Sequence, residues 1–457
     1  MGDGKNYLTD GGTKNGANRF SSLSGALCIL ASFSTMAYFP VVELLGCISI
    51  RVPAMLYELF NYAVFGTAFV GAAFGFIGKR GVVPDKMIKG FGLMFLVVGL
   101  YYVYGLFVEE NTTYFLYFFL WAIPAMLVGA FVPTVGDSGI PKLLEVLTIM
   151  MGVASFLSVM RYLSLGVSHL NTLSFGGTNY QGLSYTAAFC VGLELYYVFI
   201  ADDGDRFPIF RTTAGKIAEI VTGVLSAFSV VVSGGRGGFI LMVVNTLLAF
   251  YLIGQKNKVR NVKRRALPAF IIVSIGVFVV ILTQIGGNSL ISDSLGRLSS
   301  VFSPTDQETS YNGGRNIIYS TSFELIYRSP VLGYGIFNLR DTGMAYPHNI
   351  VLETCMHAGV FYMLLWGYAF YSIWKNTFRY LKADLNHTWI LLYVTYFSVF
   401  LNFSGTYLWC SQLWFIIGVL CANDPAVNEA AIDKPSEDGD GGGDRKPVCK
   451  YIKTSNP

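Results

Sequence analysis

Long apolar stretches recur along almost the whole of this 457-residue sequence, and they constrain its fold more than any other feature. A polypeptide in lipid must satisfy its own backbone polar groups, so a single stretch that crosses about 30 Å of hydrocarbon is a helix. The sequence therefore predicts an all-α polytopic membrane protein. The twelve predicted spans are residues 21–39, 54–78, 90–108, 113–133, 143–163, 182–201, 214–233, 237–254, 268–285, 349–373, 387–403 and 407–422.

The composition agrees with a membrane protein and argues against a soluble one. Hydrophobic residues make up 53% of the chain and charged residues only 13%, which exceeds the apolar content that a soluble core needs. The seven cysteines lie mostly within apolar stretches and show neither a CxxC pair nor the spacing of metal ligands, so we interpret them as core residues. The polar residues 1–19 lead into an apolar stretch too long for a signal peptide, so we expect no cleaved leader.

The positions of the basic residues predict the orientation. All sixteen lysines fall before the first span, after even-numbered spans, at the start of the seventh span or in the tail, so the positive-inside rule places both termini and these loops in the cytoplasm. Seven of the sixteen arginines fall on the other side, without any lysine. Arginine binds phosphate in a two-pronged geometry, so this distribution indicates phosphate recognition at the outer face. The seven are Arg51, Arg161, Arg236, Arg297, Arg315, Arg328 and Arg340.

The chain divides into five predicted segments. Residues 1–20 form a cytoplasmic N-terminal segment, 21–285 contain nine spans, 286–348 form an outer loop, and 349–422 contain three more spans. Residues 423–457 are acidic and glycine-rich and bury too little apolar surface to order, so we expect a disordered cytoplasmic tail. The long outer loop, with short helices, is where we expect substrate binding and catalysis.

The first candidate for chemistry is the sequence Ser233-Gly234-Gly235-Arg236-Gly237-Gly238 at a predicted outer boundary. Its glycines permit a sharp turn with exposed N–H groups near a helix N-terminus, and together with Arg236 this favours an anion such as a diphosphate. Gly235 and Gly237 are candidate backbone ligands. The alternative is a tight turn between helices whose arginine reaches toward the headgroups.

The second candidate lies within the outer loop. Gly313-Gly314-Arg315 precedes a short predicted helix that ends at Pro330, and Gly333-Tyr334-Gly335 follows. Arg315 and Tyr319 would share a helix face, which places a cation beside a ring that can stack on a sugar. Tyr334 is a further candidate for sugar binding. The alternative is an amphipathic helix on the membrane surface, with Ile318, Leu325 and Ile326 dipping into lipid.

The third candidate is Pro347-His348-Asn349, where the outer loop meets the tenth span. The imidazole of His348 suits the removal of a proton from a sugar hydroxyl near neutral pH, and Asn349 is a candidate substrate ligand. Alternatively, Asn349 caps the helix and His348 is a polar interfacial residue. Glu353 and His357 follow within the span, where ionisable groups are usually paired or functional. Glu353 is a second candidate for the base if it reaches the outer face. The alternative is that the two side chains bond only each other.

A fourth, weaker candidate is Arg161, which together with the polar sequence 176–181 could line a substrate groove or simply border an ordinary turn. Glu194, within the sixth span, is kept as a candidate because an intramembrane carboxylate usually serves a function.

Taken in order, the GGRGG turn, the outer loop with its GGR and GYG sequences, and PHN followed by Gly359 resemble the bacterial O-antigen ligase and polymerase family. The resemblance covers roughly residues 161–361. It implies glycosyl transfer from an undecaprenyl-diphosphate-linked saccharide at the outer, periplasmic face of the bacterial inner membrane. It also implies a reaction without a metal, on a fold similar to the C-type glycosyltransferases. It also implies that Arg236 and Arg315 engage the diphosphate and that His348 is the functional histidine.

We expect a metal-independent polymerase of O-antigen, capsule or exopolysaccharide repeat units that uses no cofactor. Residues 360–362 lack the small-residue pattern common in ligases, which favours a polymerase over a ligase that transfers polymer to a lipid A core. A flippase for lipid-linked sugars is the alternative of another class, but it would carry arginines deep within central helices. We expect the bilayer and the lipid-linked saccharides as partners, a chain-length regulator and a flippase as candidate protein partners, and no nucleic acid.

Overall fold

The computed structural model describes residues 37–78, 85–107, 112–131, 139–167, 169–255, 289–299, 315–336 and 346–422. The chain divides into a compact unit, Met1–Asn423, which contains all of these residues, and a second unit, Asp424–Pro457, which contains none of them. The predicted span 268–285, most of the predicted span 21–39, Arg340 and the predicted tail lie outside the described residues.

The described residues are almost entirely helical. The helices of the first half are α1 (Tyr38–Cys47), α2 (Met55–Gly78), α3 (Asp85–Gly105), α4 (Thr112–Tyr117), α5 (Ile123–Phe131), α6 (Gly139–Ser164) and α7 (Tyr180–Phe199). Those of the second half are α8 (Thr213–Val232), α9 (Arg236–Gln255), α10 (Ser289–Ser299), α11 (Arg315–Arg328), α12 (Ile350–Ala383), α13 (Thr388–Phe403) and α14 (Ser411–Ala422). A π turn, Phe118–Ala122, joins α4 to α5, and a short hairpin, β1 (Ser174–Phe175) with β2 (Thr178–Asn179), precedes α7.

These helices confirm the all-α membrane class. Seven stretches of the described residues are long and apolar enough to cross a membrane: Lys86–Gly105, Tyr114–Phe131, Ile140–Ser164, Tyr180–Phe199, Thr213–Val232, Arg236–Gln255 and Ile350–Ala383. Each overlaps one predicted span. The total of twelve stays a prediction, as does the similarity to C-type glycosyltransferases.

The boundaries of two predicted spans near the C-terminus differ in the structure. The span predicted to end at residue 373 continues as α12 to Ala383, because its last turns carry Lys375, Arg379 and Lys382 and extend past the apolar stretch. The last span was predicted to begin at residue 407, but α14 begins at Ser411 after an irregular segment.

Helix α7 lies at the centre of the bundle, since nearly all of its residues are buried against α6, α8, α9 and α13. Helices in lipid gain little from burying apolar side chains against each other, so close contact depends on small residues. The contact between α5 and α14 shows this requirement. An added Cβ on Gly129 would overlap the carbonyl oxygen of Phe415, and one on Gly418 would overlap that of Met126.

Helix α12 is broken in its middle by Gly359, whose φ of 78° lies in the left-handed region that favours glycine. The break leaves carbonyl groups of the preceding turn without their helical donors. The segment 330–336 supplies replacements, because the Tyr334 N–H donates to the Met356 carbonyl at 2.8 Å and the Gly335 N–H donates to the His357 carbonyl at 2.9 Å. The outer-loop segment is thereby fixed against the kink.

A buried ion cluster ties the connection between α7 and α8 to the bundle. Arg206 Nε donates to Glu145 Oε1 at 2.9 Å, and Arg206 Nη2 donates to Glu219 Oε2. All three side chains are buried, and the two carboxylates belong to α6 and α8. Because the guanidinium has several N–H donors in one plane, Arg206 can bind a carboxylate on each of the two helices at the same time.

The two ends of the bundle differ in their charged groups. Helix α12 begins directly after His348 and carries Lys375 and Arg379 near its other end. We call these the His348 end and the Lys375 end. The N-termini of α7 and α9 lie at the His348 end, whereas the N-terminus of α3 lies at the Lys375 end. This arrangement agrees with the predicted separation of the outer arginines from the cytoplasmic lysines.

Candidate active site

A cavity of about 190 Å³ lies at the His348 end, where the N-termini of α7, α9 and α12 approach the C-terminus of α13. It is lined by Tyr180, Gln181, Tyr185, Gly235, Arg236, Gly237, Arg297, Ile318, His348 and Ser404. These lining residues include two guanidinium groups and one imidazole but no carboxylate. The helix N-termini add partial positive charge. The cavity therefore favours an anion.

The glycines around Arg236 serve close packing as well as turning. Gly234, with φ 63°, makes the turn between α8 and α9. An added Cβ on Gly237 would overlap the hydroxyl of Tyr185, and one on Gly235 would overlap Ser184 on α7. The turn thus brings the first residue of α9, Arg236, against the beginning of α7. The structure confirms a tight turn between helices and places Arg236 at a cavity, while anion binding there stays a prediction.

Arg297 is held in place by Tyr180. The guanidinium Nη2 donates to the Tyr180 hydroxyl at 2.6 Å, and its central carbon lies 4.9 Å from the centre of the Tyr180 ring. A planar cation beside an aromatic face is attracted to it and loses conformational freedom. Helix α10 therefore presents an oriented guanidinium to the same cavity as Arg236.

His348 has φ 56°, a conformation that residues other than glycine rarely adopt. Its Nδ1 lies 3.1 Å from the carbonyl oxygen of Ser404, which can only accept, so Nδ1 carries the proton. The other ring nitrogen, Nε2, then has the lone pair of a neutral imidazole. The tautomer set by this contact is the one that a general base requires.

Ser404 bonds to several of the polar groups around His348. Its carbonyl oxygen also accepts from the Tyr346 hydroxyl at 3.2 Å, and its own hydroxyl lies 3.2 Å from that of Tyr185. Burial raises the pKa of Tyr346 to about 12, so this phenol keeps its proton and donates at neutral pH. Neutral partners thus fix the carbonyl that orients the imidazole.

The predicted short helix of the outer loop is present as α11, which begins at Arg315. Ile318, one turn further along, lines the cavity. Residues three apart lie on neighbouring positions of a helix face, so positions 315 and 318 share one face of α11. The Arg315 side chain lies outside the described residues. Tyr319 is half-buried and is not among the residues that line the cavity.

Glu353 and His357 are buried in α12 and bond to other groups instead of each other. Glu353 Oε1 accepts from the Thr406 hydroxyl, while His357 Nδ1 lies 2.8 Å from the Tyr407 hydroxyl. Glu353 Oε2 has no hydrogen-bond partner among the described residues. Neither side chain lines the cavity, so a role for Glu353 as base would require a different arrangement.

Tyr334 and Asn349 have structural roles in the described residues. The Tyr334 hydroxyl donates to the Leu325 carbonyl at 3.0 Å, within the segment that packs on the α12 kink. Asn349 Oδ1 accepts from the N–H groups of Val351 and Leu352, which makes it the N-cap of α12. Neither lines the cavity, and their predicted substrate contacts remain predictions.

Arg161 and Glu194 also lie away from the cavity. Arg161 Nη1 is 3.7 Å from Glu43 Oε1 on α1, and Glu43 Oε2 accepts from the Gly176 N–H at 2.9 Å, so this arginine borders the hairpin before α7. Glu194 is buried within α7, and its carboxylate oxygens have no hydrogen-bond partner among the described residues. The structure brings neither residue together with His348.

Comparison with known families bears on the same segment. The matched region extends from α8 through the glycine turn and α11 into α12 beyond its kink. Residues 221–367 match the O-antigen ligase family. The matched region therefore contains Arg236, Arg297 and His348, and the match confirms the resemblance found in the sequence. It supports a function of the O-antigen ligase or polymerase type, and hence an enzyme. No curated protein matches the chain.

Sequence reasoning identified Arg236 and His348 but not the contribution of Arg297, which was noted only as one of the outer arginines. Its partner Tyr180 is 117 residues away in the sequence, so no local pattern joins them. The signal available was the absence of lysine around Arg297. Among the described residues, no group of three or more His, Cys, Asp and Glu side chains could hold a metal ion.

Proposed function

We propose that this protein is a membrane glycosyltransferase that polymerises undecaprenyl-diphosphate-linked oligosaccharide repeat units at the outer face of the bacterial inner membrane. The observation that carries the proposal is the cavity in which Arg236, Arg297 and His348 meet. The match to the O-antigen ligase family supports the reaction class. A flippase that delivers the lipid-linked repeats and a regulator of chain length are the protein partners that fit this role.

The two arginines and the helix N-termini are suited to the diphosphate of the donor. Guanidinium groups bind phosphate oxygens through paired hydrogen bonds. The N-terminus of a helix also favours an anion, and Gly237 in the first turn of α9 lines the cavity. Negative charge grows on the diphosphate as the glycosidic bond breaks. Fixed cations at that position stabilise the transition state more than the ground state. Arg315 is proposed as a third cation, because α11 carries Ile318 to the cavity wall.

His348 is proposed as the base. Its Nε2 takes the proton of an acceptor sugar hydroxyl, whose oxygen forms a bond to the anomeric carbon of the donor sugar. The bond between that carbon and the diphosphate oxygen breaks, and the lipid diphosphate departs with the electron pair. The proton then passes from the imidazolium to the departing diphosphate or to water. A single displacement of this kind predicts inversion at the anomeric carbon.

Transfer of finished polymer to a lipid A core is the second candidate, because the matching family is described as O-antigen ligase. Both reactions use the same donor chemistry and differ in the acceptor. A deletion strain separates them. Loss of a polymerase leaves single repeats on the cell surface, whereas loss of a ligase leaves long polymer attached to the carrier lipid.

The decisive experiment is transfer by the purified protein with synthetic lipid-linked repeats. We expect Arg236→Ala to lower the turnover rate by about 10²–10³-fold, the usual loss when one fixed donor to a developing oxyanion is removed. Arg328→Ala is the matched control, because Arg328 is exposed and pairs with Glu324 at 2.5 Å on the same helix. Full activity of the Arg236 variant would overturn the proposal, and loss of activity with a chelator would contradict metal independence.

A further inference from the structure

We propose that a groove at the Lys375 end binds one anionic phospholipid of the surrounding bilayer. The groove has a volume of about 640 Å³ and lies between α3, α12 and α14. Its position is independent of the cavity around His348, since Ile350 and Arg379 are separated by roughly 40 Å of helix at 1.5 Å per residue. The proposal concerns a second site and does not depend on the glycosyltransferase function.

One end of the groove is cationic. Lys86 and Lys89 line it from the first turns of α3, and Lys375 and Arg379 line it from α12, whereas no carboxylate is among the described residues that line it. Lys375 and Arg379 are four residues apart and thus share a helix face. The Lys375 ammonium lies 5.8 Å from the centre of the Tyr371 ring, an aromatic group of the kind that occurs at lipid headgroup level.

The other end of the groove is apolar. Leu93 and Leu96 of α3 line it opposite Leu365 and Ala369 of α12. From Lys86 to Leu96, α3 rises about 15 Å, which is half of the hydrocarbon thickness of about 30 Å. The groove therefore has the length and polarity of a lipid in one leaflet, with phosphate among the cations and acyl chains along the leucines.

This combination favours a lipid over other occupants. Basic clusters between helices at the cytoplasmic surface attract anionic lipid headgroups by about 1 kcal/mol for each lysine or arginine. The acidic C-terminal segment 424–457 could meet the cations, but its polar residues would not enter the apolar half of the groove. A second copy of the chain that bound through the same groove would bring its own lysines close to these cations, and the like charges would repel.

Native mass spectrometry of the purified full chain tests the proposal. We expect dioleoylphosphatidylglycerol to bind more tightly than dioleoylphosphatidylcholine. The double variant Lys375→Gln/Arg379→Gln should weaken phosphatidylglycerol binding by about 30-fold, which corresponds to two lost cations. Lys382→Gln is the matched control, because Lys382 is exposed near the same end of α12 but does not line the groove.

A second pair of variants tests the apolar half. Ala369→Trp should fill the space beside Leu365 and weaken lipid binding, while Leu364→Trp, on an exposed position of α12, should leave it unchanged. The proposal is overturned if the two lipids bind equally, if Lys382→Gln matches the double variant, or if free glycerophosphoglycerol competes as well as the lipid. A dimer in place of a lipid-bound monomer, or a groove already filled by the C-terminal segment, would also overturn it.

Discussion

His348 combines a rare backbone conformation with a side chain held in a fixed orientation. Its backbone occupies the left-handed region, and its Nδ1 donates to the carbonyl of Ser404, the residue that follows α13. Strained backbone at a cavity persists only where the surrounding structure holds it, and it is concentrated at functional sites. The sequence could indicate His348 and Arg236, because each lies within a short motif at a predicted membrane boundary. It could not indicate the Ser404 contact, which depends on how α13 packs.

His348→Gln should lower the rate of transfer by about 10²–10⁴-fold, because the amide can still donate to the Ser404 carbonyl but cannot accept a proton. Binding of the lipid-linked donor should persist, since the arginines remain. Single-turnover transfer and a separate donor-binding assay measure the two effects. His387→Gln, at the Lys375 end, is the control and should be active. An undiminished rate for the His348 variant would rule out the imidazole as the base.

The buried ion cluster around Arg206 should contribute to the stability of the protein. Removing one member of a buried ion cluster leaves uncompensated charge and costs about 3–5 kcal/mol, whereas an exposed pair contributes about 1 kcal/mol or less. Arg206→Gln should therefore lower the unfolding temperature in detergent far more than Arg328→Gln, which breaks the exposed pair with Glu324. Similar unfolding temperatures for the two variants would show that the buried cluster adds no stability.

Helix α12 joins the site to the rest of the bundle through its kink. The sequence predicted a continuous span there and noted Gly359 only as part of a family pattern. The kink was not predictable, because it depends on segment 330–336, which lies earlier in the chain and supplies donors to the exposed carbonyls. The positions of most helices were predictable, since apolar length alone decides where a chain can cross lipid.

Gly359→Ala should destabilise the protein, because left-handed backbone costs an alanine about 1–2 kcal/mol and the added Cβ would overlap the Val331 carbonyl oxygen. Gly367→Ala is a matched control on the same helix, since nothing lies within 4 Å of its added Cβ. Thermal unfolding in detergent measures both variants. We expect Gly359→Ala to lower the melting temperature and Gly367→Ala to leave it unchanged. Equal melting temperatures would mean that the kink does not require glycine.

At the scale of the whole molecule, the bundle separates two chemically different ends. The distribution of lysine and arginine in the sequence predicted this separation before any packing was known, because charge controls orientation independently of fold. The cavity itself was not predictable. It forms only where α7, α9, α10 and α12 meet, and their order of contact is decided by small residues and buried polar pairs rather than by hydrophobicity.

The orientation is testable with a membrane-impermeant maleimide. Asn171→Cys lies on an exposed position at the His348 end and should react in intact cells. Lys382→Cys, exposed at the Lys375 end, should react only after the membrane is opened. The unsubstituted chain, which has seven cysteines of its own, gives the background labelling. Reaction of Lys382→Cys in intact cells would reverse the predicted topology.

The small size of the cavity has a consequence for the product. At about 190 Å³ it is smaller than the roughly 300–1,000 Å³ typical of sites that enclose a whole ligand, so it can surround a linkage but not a saccharide chain. In the proposed polymerase, a site of this size contacts the linkage being formed and does not measure the length of the polymer already made. Product length is then determined outside the cavity, by dissociation of the polymer or by the proposed chain-length regulator.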